Sequence, residues 1–308
     1  ILTLLKNILS KSTYGQISLA ALIICIVSGV FIAIPYDVNE PFLSISSLMI
    51  LNPAASFIRN IHFWSAQIFF VFSLLHIWDH FNRNKDIILK KGVWLRLTIG
   101  VIIIFMVMLT GFLLKGDSDT KQAWRILDSL ISGIPFIGNL ISYSLLGKEG
   151  DLELVYVHHI ATFSIFIAVI TFEHSRKLWP ITNTLIIVSV VVVIFSYLFT
   201  APLHDGINST VKGPWYFVGF QEILHWLIVP NISIVIILIF LLLIFIIPYT
   251  RKKVSFLSKR LLLIFTIAYI FLTIIGMFLR GENWSWIWPW EKGYSYSVMN
   301  SFNTSSSS

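Results

Sequence analysis

Seven apolar runs constrain what this chain can become. They lie near 15–36, 60–80, 93–114, 155–177, 181–200, 230–249 and 261–279 of the 308 residues. A bilayer core about 30 Å thick is crossed by about 20 residues of α-helix, and each run is of that order. The expected fold class is all-α: a polytopic membrane protein with about seven transmembrane helices. Composition points the same way, with 56% apolar and 12% charged residues. The formal net charge of +7 is no sign of nucleic-acid binding, because the basic residues sit in loops between the runs.

Those basic residues set an orientation. With the N-terminus on the cytoplasmic side, the cytoplasmic segments hold Lys6, Lys11, Arg83, Lys85, Lys90, Lys91, Arg96, Arg176, Lys177, Arg251, Lys252, Lys253, Lys259 and Arg260. The opposite loops are longer, hold fewer basic residues and carry most of the acids. The positive-inside rule therefore puts the N-terminus in the cytoplasm and the C-terminus outside. The chain begins with Ile1, so N-terminal residues are expected to be missing, and nothing before residue 12 has the pattern of a cleaved signal peptide. Cys25 is the single cysteine, which excludes an intrachain disulfide and an iron–sulfur cluster held by this chain alone. No CxxCH motif is present to attach a haem covalently.

Two external loops have character of their own. Gln122 to Ile131 reads as an amphipathic helix on the membrane surface, with Trp124, Ile126, Leu127, Leu130 and Ile131 as its apolar positions. Val211 to Phe217 is aromatic and turn-rich. The alternating tryptophans between Gly281 and Trp290 read as an interfacial anchor.

The histidines carry the chemistry. His62 and His76 lie 14 residues apart in one run. On a helix that is a rise of about 21 Å and nearly four whole turns, so both imidazoles face one side. His159 and His174 are 15 apart, a rise of about 22 Å. Ionisable groups inside a membrane are costly and usually functional. Two helices with two histidines each, at nearly equal separation, form two stacked bis-histidine sites, the arrangement that holds two b-type haems across a membrane. His158 is about 160° around the helix from His174, on the opposite face, which makes His159 the ligand. His80 in place of His76 would span about 27 Å against about 22 Å on the partner helix; His76 is preferred and His80 stays an alternative. Both helices start outside, so His62 and His159 share the outer haem, and His76 and His174 the inner one. Haem iron closed on both faces carries electrons and does not activate oxygen. His204 and His225 read as polar loop residues.

These residues resemble cytochrome b of the bc1/b6f class. Arg59-x-x-His62 matches the family's R-x-x-H, Gly15 and Gly29 are similar to its glycine pair, and Gly111 to a glycine of its third helix. Leu130 to Asn139 resembles the family's LLSAIPYIGN segment, and Trp215-Tyr216-Phe217 the end of its PEWYF motif. The 15-residue histidine gap is closer to the b6 kind, and the last three helices look like a joined subunit IV. The resemblance implies a di-haem four-helix bundle over 1–180 and a three-helix part with a quinol-site loop over 181–290; the rest, 291–308, is expected to be a disordered tail. It implies that Arg59, Gly15, Gly29 and Gly111 help to bind two non-covalent b-type haems. It implies an outer quinol site at Trp215, Tyr216 and a carboxylate. Pro214 occupies the position of the motif's glutamate; Glu222 stands in as the acid, with His225 the other substitute. Elsewhere Leu97, Ser65 and Trp78-Asp79 replace family residues, and Lys115 to Thr120 replaces the PWGQMS turn.

The expected function is a cytochrome b subunit of a quinol:electron-acceptor oxidoreductase of the quinol–cytochrome c kind, in an energy-transducing membrane of bacterial cytoplasmic type. Quinol would be oxidised outside, and electrons would cross through the two haems to an inner quinone site. The implied partners are a Rieske-type iron–sulfur protein, a c-type cytochrome, membrane lipid and a second copy of the chain. The alternative is a di-haem membrane anchor for a dehydrogenase, without a bifurcating quinol site. A haem-free transporter would need further polar groups in the last three runs, which show hardly any.

Overall fold

A computed structural model describes residues 13–82, 89–176, 179–204, 212–288 and 290. The expected tail at 291–308 and the loop charges Lys6, Lys11, Arg83, Lys85 and Lys177 lie outside the described residues. Eleven helices are used below: α1 (Tyr14–Ala33), α2 (Pro41–Leu51), α3 (Pro53–Asn82), α4 (Lys91–Leu113), α5 (Ser118–Ser132), α6 (Gly138–Leu146), α7 (Glu153–Ser175), α8 (Thr182–Leu198), α9 (Trp215–Trp226), α10 (Ile232–Ile246) and α11 (Lys252–Phe278). The only β-type pairing among the described residues is an isolated bridge between Arg280 and Trp286. The all-α class is what the structure has. Six helices, α1, α3, α4, α7, α10 and α11, are long and apolar enough to cross a membrane; α10 counts with the short 3-10 turn that follows it. The remaining expected span, 181–200, is α8, apolar but only 17 residues long.

The chain divides into two compact units, 1–115 with 152–201, and 116–151 with 202–308. In the first, α1 packs along α3 through small residues. Ala20, Ala21 and Ser65 are fully buried, and Ser18 Oγ meets Ser73 Oγ at 2.7 Å across the seam. Small side chains let helix backbones approach in lipid, where packing and interhelical hydrogen bonds replace the hydrophobic drive; each such bond contributes about 0.6 kcal/mol. The lipid-facing side shows in Ile26, Val27, Val30 and Phe31 of α1, all exposed. In water such a surface would aggregate.

The C-terminus of α8 is tied to α3. Helix ends leave carbonyls without intrahelical partners. Here Asn60 Nδ2 donates to Ser196 O (3.1 Å), Trp64 Nε1 to Phe199 O (2.8 Å) and Arg59 to Ala201 O (2.9 Å). Asn60 Oδ1 accepts from Ala201 N at 2.9 Å.

In the second unit the expected surface helix is α5. Asp117 caps it by accepting from Thr120 N at 3.1 Å, and Trp124, Leu127 and Leu130 bury its apolar face. The chain then turns so tightly into α6 that a Cβ on Gly138 would stand 2.6 Å from the Ser132 carbonyl oxygen. α9 packs against α11 at Gly219 and Gly276, where a Cβ would meet Thr273 Oγ1 and Val218 Cγ1, each at 2.5 Å.

Candidate functional site

The histidine pairs of α3 and α7 meet ring to ring. The His62 and His159 centroids are 6.2 Å apart with planes at 75°, and those of His76 and His174 are 5.9 Å apart at 70°. An imidazole nitrogen binds a metal at about 2.0–2.1 Å, so two rings on opposite sides of one ion have nitrogens about 4 Å and centroids about 6 Å apart. Both pairs fit a shared iron.

Neighbouring helices orient the rings of the first pair. His62 Nδ1 donates to the Cys25 carbonyl of α1 at 2.9 Å, with Ser28 Oγ at 3.4 Å and Cys25 Sγ at 3.5 Å. His159 Nδ1 donates to the Val107 carbonyl of α4 at 3.1 Å, with Thr110 Oγ1 also at 3.1 Å. A carbonyl can only accept, so Nδ1 carries the hydrogen and Nε2 keeps the lone pair that a metal needs. Three glycines let this happen. A Cβ on Gly29 would lie 3.0 Å from His62 Cε1, on Gly111 2.7 Å from His159 Cε1, and on Gly15 2.9 Å from His76 Cε1. Gly100 differs: its Cβ would make ordinary contact with Ile170, the nearest atom at 3.5 Å.

His158 points elsewhere, its Nδ1 3.2 Å from Thr162 Oγ1 and its ring against Phe163. His80 stays in the vicinity: its centroid is 4.4 Å from that of His76 and 5.8 Å from that of His174. The three together offer nitrogens within 4.8 Å of one another. Arg59 is buried, and besides Ala201 O its guanidinium reaches Met49 Sδ at 3.3 Å.

A feature absent from the sequence reading reconciles the unequal histidine gaps. Residues His158–Phe163 form a π-helical turn inside α7. A π turn accommodates one residue more than an α turn. The 15-residue step from His159 to His174 therefore advances like 14 α-helical residues, about 40° short of four turns, the same phase as His62 to His76. Ser164 Oγ covers the His159 carbonyl at 2.6 Å within this turn. The signal was the one-residue mismatch itself. Deleting Ala161 is expected to convert the turn to plain α-helix and preserve both histidine pairs. Inserting one alanine after Ala161 is expected to swing His174 by about 100° and break one pair. Haem stoichiometry of the purified variants checks both.

A second region lies in the other unit. Gln122, Arg125, Ile126, Ser129 and Leu130 of α5, Gln221, Leu224 and His225 of α9, Pro230 and Trp284 line an open cavity of about 510 Å3, within the usual range for small-molecule sites, about 300–1,000 Å3. Trp215, Tyr216 and Glu222 are not among its lining residues. Trp215 is exposed. Tyr216 is buried, which pushes its phenol above the ordinary value, and Tyr269 adds to the rise. Glu222 is fully buried and held from three directions. Arg280 donates through Nη2 (2.5 Å) and Nε (3.1 Å), Trp226 Nε1 donates at 2.7 Å and Trp284 Nε1 at 2.6 Å. Burial alone would raise the carboxyl's pKa; the hydrogen bonds from Arg280, Trp284 and Trp226 outweigh it and hold the group below its ordinary value.

The tryptophan stretch after α11 folds back on itself, with Gly281 N donating to Ser285 O (3.0 Å) and Ile287 N to Leu279 O (3.1 Å). Trp284 thus belongs to the cavity wall as well as to the Glu222 clasp. His204, at the other end of α5, bonds Asp119 Oδ2 through Nδ1 at 2.6 Å, and its backbone N donates to Asp117 Oδ2 at 3.2 Å.

An all-α membrane protein whose two long helices face each other through paired imidazoles belongs to the class of haem-binding electron-transfer bundles. The family model for cytochrome b/b6/petB matches residues 2–178, and the chain belongs to the cytochrome b/b6 family. Over 140 residues it is 30% identical to the cytochrome b of Chondrus crispus, a match covering 44% of this chain and 36% of that protein. The chain thus matches little more than a third of that relative's length. Among solved structures it resembles a chain of a hyperthermophilic respiratory Complex III, with a TM-score of 0.63 at 17% identity, covering 85% of this chain and 82% of that one.

Proposed function

We propose that the chain is the two-haem cytochrome b subunit of a quinol:electron-acceptor oxidoreductase. The observation that carries this reading is the pair of imidazole couples, His62 with His159 and His76 with His174, at separations suited to one iron each. The haems supply one-electron redox chemistry when bound. The protein's part is to hold and orient. Cys25 O and Val107 O fix the ring planes of His62 and His159, and Gly15, Gly29 and Gly111 keep space beside the imidazoles. His62, His159, His76 and His174 would hold the haems, which would then serve electron transfer rather than oxygen chemistry. Arg59 has a positioning role, since it ties α3 to α8 three residues before His62.

In this reading His62 and His159 lie nearer the outer face, His76 and His174 nearer the cytoplasm, and the N-terminus is cytoplasmic. Quinol binds in the cavity between α5 and α9. The apolar groups Ile126, Leu130, Leu224 and Trp284 receive its ring, and the polar groups at the rim meet its oxygens. Glu222 supports the wall from behind through its bond from Trp284, with Trp215 and Tyr216 earlier on the same helix. Electrons leave to a high-potential partner, a Rieske-type iron–sulfur protein or a c-type cytochrome, and to the haems. The subunit IV-like C-terminal helices and a homodimeric assembly complete the proposal. The dehydrogenase-anchor alternative draws on one observation, that no carboxylate lines the cavity among the described residues.

Two measurements test it. The purified chain is expected to show reduced b-type optical bands with two haems per polypeptide. A Ser129→Trp variant, which fills the cavity, is expected to weaken binding of a non-oxidisable quinol analogue at least about tenfold, equivalent to about 1.4 kcal/mol. Unchanged binding in a normally folded variant would favour the anchor reading.

A further inference from the structure

We infer that His225 is the group that takes the proton from bound quinol. The inference rests on the quinol reading of the cavity. A quinol surrenders its electrons readily only as its hydroxyl proton leaves, so its site needs a base at the rim. The cavity lining offers few polar candidates. The Arg125 guanidinium offers donors and no acceptor, and Gln122, Gln221 and Ser129 carry no basic nitrogen. Among the described lining residues, His225 is the one whose side chain carries a basic nitrogen able to take a proton. Glu222, one helical turn earlier, has both oxygens bonded to Arg280, Trp226 and Trp284. A carboxylate engaged in this way anchors the wall, and a proton added to it would break the clasp.

Position favours His225 as well. It is exposed at its cavity edge, so a proton it accepts can pass to water. The charged groups around it are accounted for by element. From α5 comes Arg125, whose Nε donates to Glu149 Oε1 at 2.5 Å. From α9 comes Glu222, and from the segment after α11 comes Arg280, both spent on each other. Pro230 brings no charge. Gln221, also on the lining, accepts from Gly213 N through Oε1 at 2.8 Å and holds the loop before α9.

The step balances simply. The quinol O–H bond breaks and an N–H bond forms on neutral His225, giving an imidazolium. The first electron goes to a one-electron acceptor of high potential in the partner subunit. The second goes to a further one-electron acceptor, and the second proton to water.

The test uses the full chain in its native membrane complex, a short-chain quinol as substrate and the non-oxidisable analogue as binding probe. Wild-type turnover is expected to show an acid limb, as a step that needs a free base does. His225→Gln is expected to bind the analogue within about threefold of wild type, to turn over about a hundredfold more slowly, and to lose the acid limb. His225→Asp is expected to recover part of the rate with the acid limb moved to lower pH. Wild-type turnover and an unchanged acid limb in His225→Gln would overturn the inference and leave the quinol site standing. Equal losses of binding and rate in both variants, with the acid limb kept, would make His225 a binding group and also overturn it. If the wild-type complex binds no analogue, or Ser129→Trp binds it as well as wild type does, the quinol reading itself falls, and the inference with it.

Discussion

His159→Ala is expected to halve the haem content of the purified protein, whereas His158→Ala leaves it unchanged. The two residues are adjacent, but only His159 turns its ring toward His62, at 6.2 Å between centroids. His158 is occupied with Thr162. The carbonyl bond from Val107 presets the His159 tautomer, and removing such outer support around a metal ligand typically costs 10–100-fold in affinity. On the two-haem reading, removing the side chain that would hold the haem costs more than removing its support, so loss of that haem is the expected result. Gly111→Val gives an independent check without touching a histidine. Its Cβ would stand 2.7 Å from His159 Cε1, so the ring must move and the same haem is lost. A His158→Ala protein lacking one haem, beside a His159→Ala protein retaining two, would reverse the assignment. Which of His76 and His80 serves the second pair is read from the same measurement on their alanine variants.

Much of the fold was written in one-dimensional pattern. Spanning helices announce themselves by length and apolarity, which is why α1, α4 and α7 lie close to their expected limits. α3 and α11 begin earlier than expected, at Pro53 and Lys252. In α3 the polar Arg59 continues the helix because distant sequence satisfies it, through the Ala201 carbonyl just after α8. The short helix α2 gave no periodic signal long enough to register. The histidine pairing was legible because a helix converts spacing into facing. The π turn was not, since one extra residue changes no composition. The partner of Glu222 was hidden for a related reason. Nothing near it in sequence shows that Arg280, 58 residues away, consumes its charge. The clasp exists only once α9 lies against α11, and Gly219 and Gly276 that permit this contact look like ordinary helix glycines.

Arg280→Met is expected to be among the most destabilising single substitutions in the second unit. It leaves the fully buried Glu222 carboxylate without its cation, and breaking a buried pair from one side typically costs about 3–5 kcal/mol. Unfolding of the purified protein in detergent, followed by tryptophan fluorescence, reads the loss. The pH dependence separates this cause from simple loss of packing. In the wild type the Glu222 carboxyl is held below its ordinary value. Its contribution to stability is therefore complete above the unfolded-state value and is lost as pH falls through the depressed folded value. In Arg280→Met the cation is gone and burial raises the pKa instead. The folded variant then binds a proton more readily than the unfolded chain, so its stability rises as pH falls through that range. The two slopes are opposite in sign. Adding Glu222→Gln to Arg280→Met removes the charge while keeping an oxygen that can accept from a tryptophan Nε1. The double variant is expected to recover most of the lost stability and to show neither slope. If Arg280→Met unfolds with the wild-type pH dependence, the clasp is not an ion pair, and Glu222 is free to be the base that His225 is here inferred to be.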